Sequence, residues 1–148
     1  MTFKKLSSYL NELEQTASRL AITDILAKLF KDAAGDEIDK IVYLSLGVLA
    51  PNYKSIVFNA EDQMMIRAIA KAYSVDIDKV KSSYKKLGDL GLVSFELSKK
   101  ADSNLSVTDV FKQLQVAAIE KGDGSQERRV AKIAEILSAV DKDSAKFI

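Results

Sequence analysis

Two glycine turns bordered by clustered cations are where residue type and spacing in this 148-residue chain suggest chemistry. In Gly122-Asp-Gly-Ser-Gln-Glu-Arg-Arg129, small residues stand directly before a helical pattern. Unpaired backbone N–H groups and the positive end of the helix dipole can receive an anion such as a phosphate there. Gly122, Gly124, Ser125 and Gln126 are the candidate backbone contacts, with Arg128, Arg129 and Lys132 beside them. Cations in a first turn oppose the dipole at a cost of about 0.3–1 kcal/mol, and a bound anion would remove that conflict. A plain surface helix start with solvated arginines fits the same residues. Gly88, Asp89, Leu90 and Gly91 form the second turn, at the end of a lysine-rich helical pattern. Its two glycines let backbone approach another surface closely, although an ordinary helix stop reads the same way. Histidine and cysteine are absent, which removes most metal sites and nucleophilic triads. The acids are scattered and the aromatics sit at core spacing, so neither an active site nor a base-stacking platform is indicated.

Helices must position these turns, because the apolar periodicity is helical almost throughout. Phe3, Leu6, Leu10 and Leu13 make one stripe, and Ile22, Ile25, Leu26, Leu29 and Phe30 a second that ends by Gly35. Ile38, Ile41, Val42 and Leu44 form a third before Gly47 and Pro51 interrupt the chain. Asn59 is the expected cap of a fourth helix that buries Met65, Ile66, Ile69 and Tyr73. Asp76 is the expected cap of a fifth, carrying Ile77, Val80, Tyr84 and Leu87 up to Gly88. Ser106-Val-Thr-Asp109 fits a capping box, with Asp in place of the usual Glu or Gln. Ser125 suits the cap of a helix running to about Val140, and a last helix is expected from near Asp143. The brief stretch Leu92-Val-Ser-Phe95 is strand-like but has no partner. The spacing therefore predicts an all-α fold of about eight or nine short helices, in a single domain over residues 1–148. A final helix with barely one turn before Ile148 reads as a fragment boundary.

Net charge is +1, which by itself gives no hint of a polyanion partner. The distribution says more: residues 1–62 sum to −2, whereas residues 79–100 carry six lysines against Asp89 and Glu96. A local basic segment on a neutral chain is compatible with phosphate contact, or with a solvated lysine face. No apolar run approaches the ~18–20 residues of a membrane span, and the start lacks the apolar stretch of a secretory signal. With no disulfides to form, a cytoplasmic protein is expected.

Several segments, in order, resemble the N-terminal domain of ATP-dependent DNA ligases of the archaeal and eukaryotic type. They are Leu13-Glu-Gln-Thr-Ala-Ser-Arg19, Tyr43-Leu-Ser-Leu-Gly-Val-Leu-Ala-Pro51, Tyr84-Lys-Lys-Leu-Gly-Asp-Leu-Gly91, Leu105-Ser-Val-Thr-Asp-Val110, Gly122-Asp-Gly-Ser-Gln126 and Asp143-Ser-Ala-Lys-Phe-Ile148. The resemblance implies an all-helical module that grips nicked duplex DNA along the minor groove, together with the catalytic domains of the same ligase. Contacts would run from helix N-termini, glycine turns and basic side chains to backbone phosphates, largely independent of sequence. Gly88–Gly91 and Gly122–Gln126 then become phosphate loops, with Arg128, Arg129 and Lys132 beside one of them and Arg19 as an additional contact. ATP and Mg²⁺ would belong to the catalytic domains, leaving this chain without a cofactor and non-catalytic alone. The chain ends before the family's second basic glycine-rich stretch, so half of the expected grip is missing. Residues 99–105, Lys-Lys-Ala-Asp-Ser-Asn-Leu, lack the aromatic pair of a sliding-clamp motif.

Two other readings compete. Lys121-Gly-Asp-Gly124 matches the Lys-x-Asp-Gly signature of ligases and capping enzymes, whose lysine attacks the α-phosphate of ATP. That signature follows a strand and is followed by an arginine two residues after the glycine; here Gln126 stands there, and a turn is expected instead. A helical protein-interaction module with no nucleic-acid role is the second, favoured by the near-neutral charge.

Overall fold

Thr2, in extended backbone, accepts a hydrogen bond from the Lys5 N–H through its hydroxyl and so opens helix α1, Phe3–Glu14. The computed structural model describes every residue except 52, 53, 55, 57 and 59. Ser18 caps α2 (Arg19–Asp32), and α3 spans Ile38–Ser45. The remaining helices are α4 (Asp62–Tyr73), α5 (Ile77–Leu87), α6 (Leu90–Leu97), α7 (Val107–Ala118), α8 (Ser125–Ala139) and α9 (Lys142–Phe147). Among the described residues there are thus nine helices and no strand, in line with the all-α expectation; one isolated bridge pairs Thr2 with Ser106. At that bridge the Phe3 N–H donates to the Leu105 carbonyl and the Val107 N–H to the Met1 carbonyl, which straps the N-terminus over the start of α7.

The core collects one stripe from each long helix. Phe3 and Leu6, Ile66 and Ile69, Val80, Val107 and Val110, and Ile133 and Leu137 are all at most 4 % exposed. Helices α4 and α8 pack most extensively, with α6 against α9 and α7 against α8. Burial of such apolar area is the main favourable contribution to folding.

Local signals hold at some helix starts and shift at others. The capping box is present: Ser106 Oγ accepts from the Asp109 N–H at 3.1 Å, and Asp109 Oδ2 accepts from the Ser106 N–H at 3.2 Å. Asn59 lies outside the described residues, and the residue in the cap position of α4 is Glu61. Asp76 occupies the cap position of α5 but makes no side-chain cap bond. Ser125 is the first residue of α8, not its cap; Gly124, at φ 71°, stands there instead, and a residue with that backbone and no side chain supplies no acceptor. Helix α9 begins one residue early, because the buried Asp141 caps it through the Ser144 N–H at 3.1 Å.

The largest revision concerns residues 92–95, which are helical. Asp89 Oδ1 accepts from the Leu92 N–H at 2.8 Å and closes the first turn of α6. Helix α6 is apolar on most sides because it is enclosed: α4, α5 and α9 all pack on it, and Val93 and Ser94 are buried. A short continuous apolar run reads alike as a buried strand or a buried helix, and here the cap and the surroundings decide.

Candidate nucleic-acid interface

The Lys121–Gly124 segment is an interhelical turn between α7 and α8. Gly122 and Gly124 both take left-handed backbone, at φ 82° and 71°, which an L side chain rarely adopts. Helix α8 has no side-chain cap, so no side chain of the turn satisfies the N–H groups of its exposed Gln126 and Glu127. This part of the expected phosphate loop is open.

The cations beside it are otherwise engaged. Arg128 donates from Nε to Glu120 Oε2 at 2.7 Å, from Nη1 to the Asp123 carbonyl at 2.8 Å and from Nη2 to the Lys121 carbonyl at 2.9 Å. Its guanidinium lies over Gly124, where an added Cβ would sit 3.3 Å from Nη1. Arg129 turns inward: Nη2 donates to the Ala118 carbonyl at 2.8 Å, and Nε is buried with no partner among the described residues. Lys132 Nζ lies 3.5 Å from Glu120 Oε1. The expected conflict between these cations and the α8 dipole is therefore already offset from within. They face Glu120, the turn carbonyls of Lys121 and Asp123 and, for Arg129, the Ala118 carbonyl at the negative end of α7. The Arg128 guanidinium, with Lys132 behind it, holds the Glu120 carboxyl below its usual pKa.

Bracing the turn gives Arg128 a structural duty. Arg128→Ala is expected to lower the Tm by a few degrees, because the Asp123 and Lys121 carbonyls lose a charged donor. A thermal melt followed by circular dichroism checks this, and an unchanged Tm would mean the arginine does not hold the turn.

The second expected loop divides in two. Gly88, at φ 74°, closes α5, and nothing lies within 4 Å of where its Cβ would be. Gly91 faces the interior: its Cβ would meet the Lys146 carbonyl oxygen at 2.3 Å, so this glycine admits the backbone of α9 and not an external surface. Asp89 is occupied as the cap of α6, and Leu90 begins that helix half-buried. Arg19 is the exposed first residue of α2, whose main packing partner is α1. The structure thus does not draw it toward either turn.

What the candidate residues omit is the helix that leads into Gly88. Lys79, Lys81, Lys85 and Lys86 are all exposed, and none forms an ion pair with a described residue. At 100° per residue they flank the outward arc of α5 over about 160°, opposite Val80 and Leu87. Lys81 and Lys85 line a groove of about 550 Å³ between α4 and α5, together with Asp62, Gln63, Ile66, Asp78, Ser82 and Tyr84. The local charge excess over residues 79–100 was the available signal, whereas the glycine motif beside it drew the candidates to the turn.

Helix α4 ties the two turns together. Tyr84, one turn before Gly88, donates to Asp62 Oδ2 at 2.9 Å, which raises the pKa of the phenol. Glu127, in the first turn of α8, pairs with Arg67. Asp62 and Arg67 are five residues apart on one helix, about 7.5 Å along its axis. The α5 lysines, Gly88 and the open start of α8 are therefore all referenced to the N-terminal half of α4.

Among the described residues, no group of three His, Cys, Asp or Glu is placed to hold a metal, and no helix is long and apolar enough to cross a membrane. Compared with known proteins, residues 2–148 match the family model described as DNA ligase N terminus. DNA ligase 1 of Methanosarcina mazei is 39 % identical over 148 residues, covering 100 % of this chain and 26 % of that protein. Probable DNA ligases of Dictyoglomus thermophilum and Aquifex aeolicus are 34 % and 31 % identical, again over the whole chain and over 25 % and 26 % of their own lengths. The chain spans about a quarter of the length of the curated relatives it matches.

Proposed function

The chain belongs to the DNA ligase N-terminus family, and from that premise we propose that it binds nicked duplex DNA through backbone phosphates, independent of base sequence. One observation carries the reading: the exposed lysines of α5, without ion-pair partners among the described residues, run into the open Gly88 turn on a chain of net charge +1. Such an arrangement supplies point charges and accessible backbone for phosphates but no ordered side-chain fork for base edges. The uncapped start of α8 adds N–H donors held relative to α5 by α4.

In this reading the chain is the DNA-gripping part of an ATP-dependent ligase that serves replication and repair, and it is not catalytic alone. Nick sealing, and the binding of ATP and Mg²⁺, belong to the catalytic domains of the same ligase, with which this module closes on the DNA. Lys121 sits in a glycine turn between two helices, with no sheet among the described residues to build a nucleotide site around it.

Fluorescence-anisotropy titration of a labelled nicked duplex across a salt series tests the proposal. Binding should fall linearly on a log–log plot, with a slope of about −0.9 for each phosphate contacted. Binding of equal strength at all salt concentrations, or preference for one base sequence, would overturn it.

A further inference from the structure

We propose that Glu120 stands in for a DNA phosphate in the free protein and keeps Arg128 and Lys132 in reserve, handing them over when DNA arrives at the start of α8. The inference rests on the phosphate reading of that helix start and extends it to the regulation of the same site.

The geometry is that of an anion clasped by two cations. Glu120 follows the end of α7, and its two carboxylate oxygens take separate partners, Arg128 Nε at 2.7 Å and Lys132 Nζ at 3.5 Å. Both cations belong to α8, whose open first turn lies beside them. Arg128 stays poised if the carboxylate is displaced, because Nη1 and Nη2 keep the Asp123 and Lys121 carbonyls. Only the Nε bond changes hands. The Arg128 side chain is 47 % exposed and that of Glu120 19 %, so solvent and an incoming phosphate reach the ion pair from the arginine side. A phosphate carries oxygens that match both vacated donors.

The exchange has a measurable signature. When a phosphate takes a cation from Glu120, a counterion leaves the DNA, but the released carboxylate attracts one back. The protein therefore shows fewer net counterions released than its contacts imply. Glu120→Gln keeps an oxygen for Arg128 Nε while removing the charge, so the turn remains braced and the hidden counterion appears.

In a nicked-duplex titration, Glu120→Gln should bind more tightly than the unaltered chain at low salt. Its log–log salt slope should steepen by about 1, equivalent to roughly 4-fold more loss between 50 and 200 mM salt. The gain should vanish when Arg128→Ala and Lys132→Ala are added, and should be absent in Asp24→Asn, which removes one charge from an exposed site on α2. A Glu120→Gln protein that binds no better than the unaltered chain, while the latter shows steep salt dependence, would overturn the proposal and leave the phosphate reading intact. An equal gain in Asp24→Asn would also overturn it, as an effect of net charge alone. Salt-independent binding by the unaltered chain would remove the phosphate reading itself, and this inference with it. Circular dichroism melts of each variant separate loss of fold from loss of binding.

Discussion

Lys85→Gln/Lys86→Gln is expected to weaken nicked-duplex binding on the order of 50-fold at 0.1 M salt, with a salt slope shallower by about 1.8. The magnitude follows from two phosphate contacts at about 0.9 counterions each, relative to 1 M salt where that contribution vanishes. These two lysines are chosen because they lie in the last turn of α5, next to the open Gly88, and are exposed without ion-pair partners among the described residues. Glutamine keeps much of each side-chain stem and the helix preference, so packing over α5 changes little. Some stability is still lost, since both cations face the negative end of their helix, worth about 0.3–1 kcal/mol apiece at most. Anisotropy titration and a melt of the same sample read the two effects apart. Binding within about two-fold of the unaltered chain would move the interface off α5.

Local chemistry was legible in the sequence, and partners were not. The capping box at Ser106 and Asp109 could be read because all of its atoms belong to four consecutive residues. The stripes of α1, α4, α5 and α7 were legible for the same reason, as each repeats within one helix. Helix α6 was not, since five apolar residues among eight have no telling period, and what makes them helical is the Asp89 cap together with burial on three sides. The candidate cations show the same limit. Arg128, Arg129 and Lys132 look like free anion ligands until the turn folds back and presents Glu120 and the Ala118 carbonyl to them. Spacing alone carries no information about whether an arginine's acceptor is a DNA phosphate or a carboxylate eight residues upstream. The α5 lysines were visible only as a charge excess, and that they form no ion pair among the described residues is a tertiary fact.

Gly91→Ala is expected to destabilise the fold by about 2–3 kcal/mol, lowering the Tm by roughly 5–12 °C, and to do so without DNA present. The added Cβ would lie 2.3 Å from the Lys146 carbonyl oxygen, a backbone atom that cannot rotate away, and 2.9 Å from Asp89 Oδ1, the acceptor that caps α6. Relief requires α9 to withdraw from α6, which also pulls on Asp141 and the Lys146 amine, held by Asn11 and Glu14 of α1. Gly88→Ala makes the opposite comparison. Its Cβ would meet nothing within 4 Å, so the change costs only the left-handed backbone at φ 74°, about 1–2 kcal/mol. Two glycines three residues apart in one motif therefore serve different ends. A glycine kept for DNA approach should lose affinity when substituted, at little cost to the melt; one kept for helix packing should lose stability first. If Gly91→Ala melts like the unaltered chain but binds nicked duplex poorly, then α9 yields to the methyl group, and both glycines of the turn face the nucleic acid.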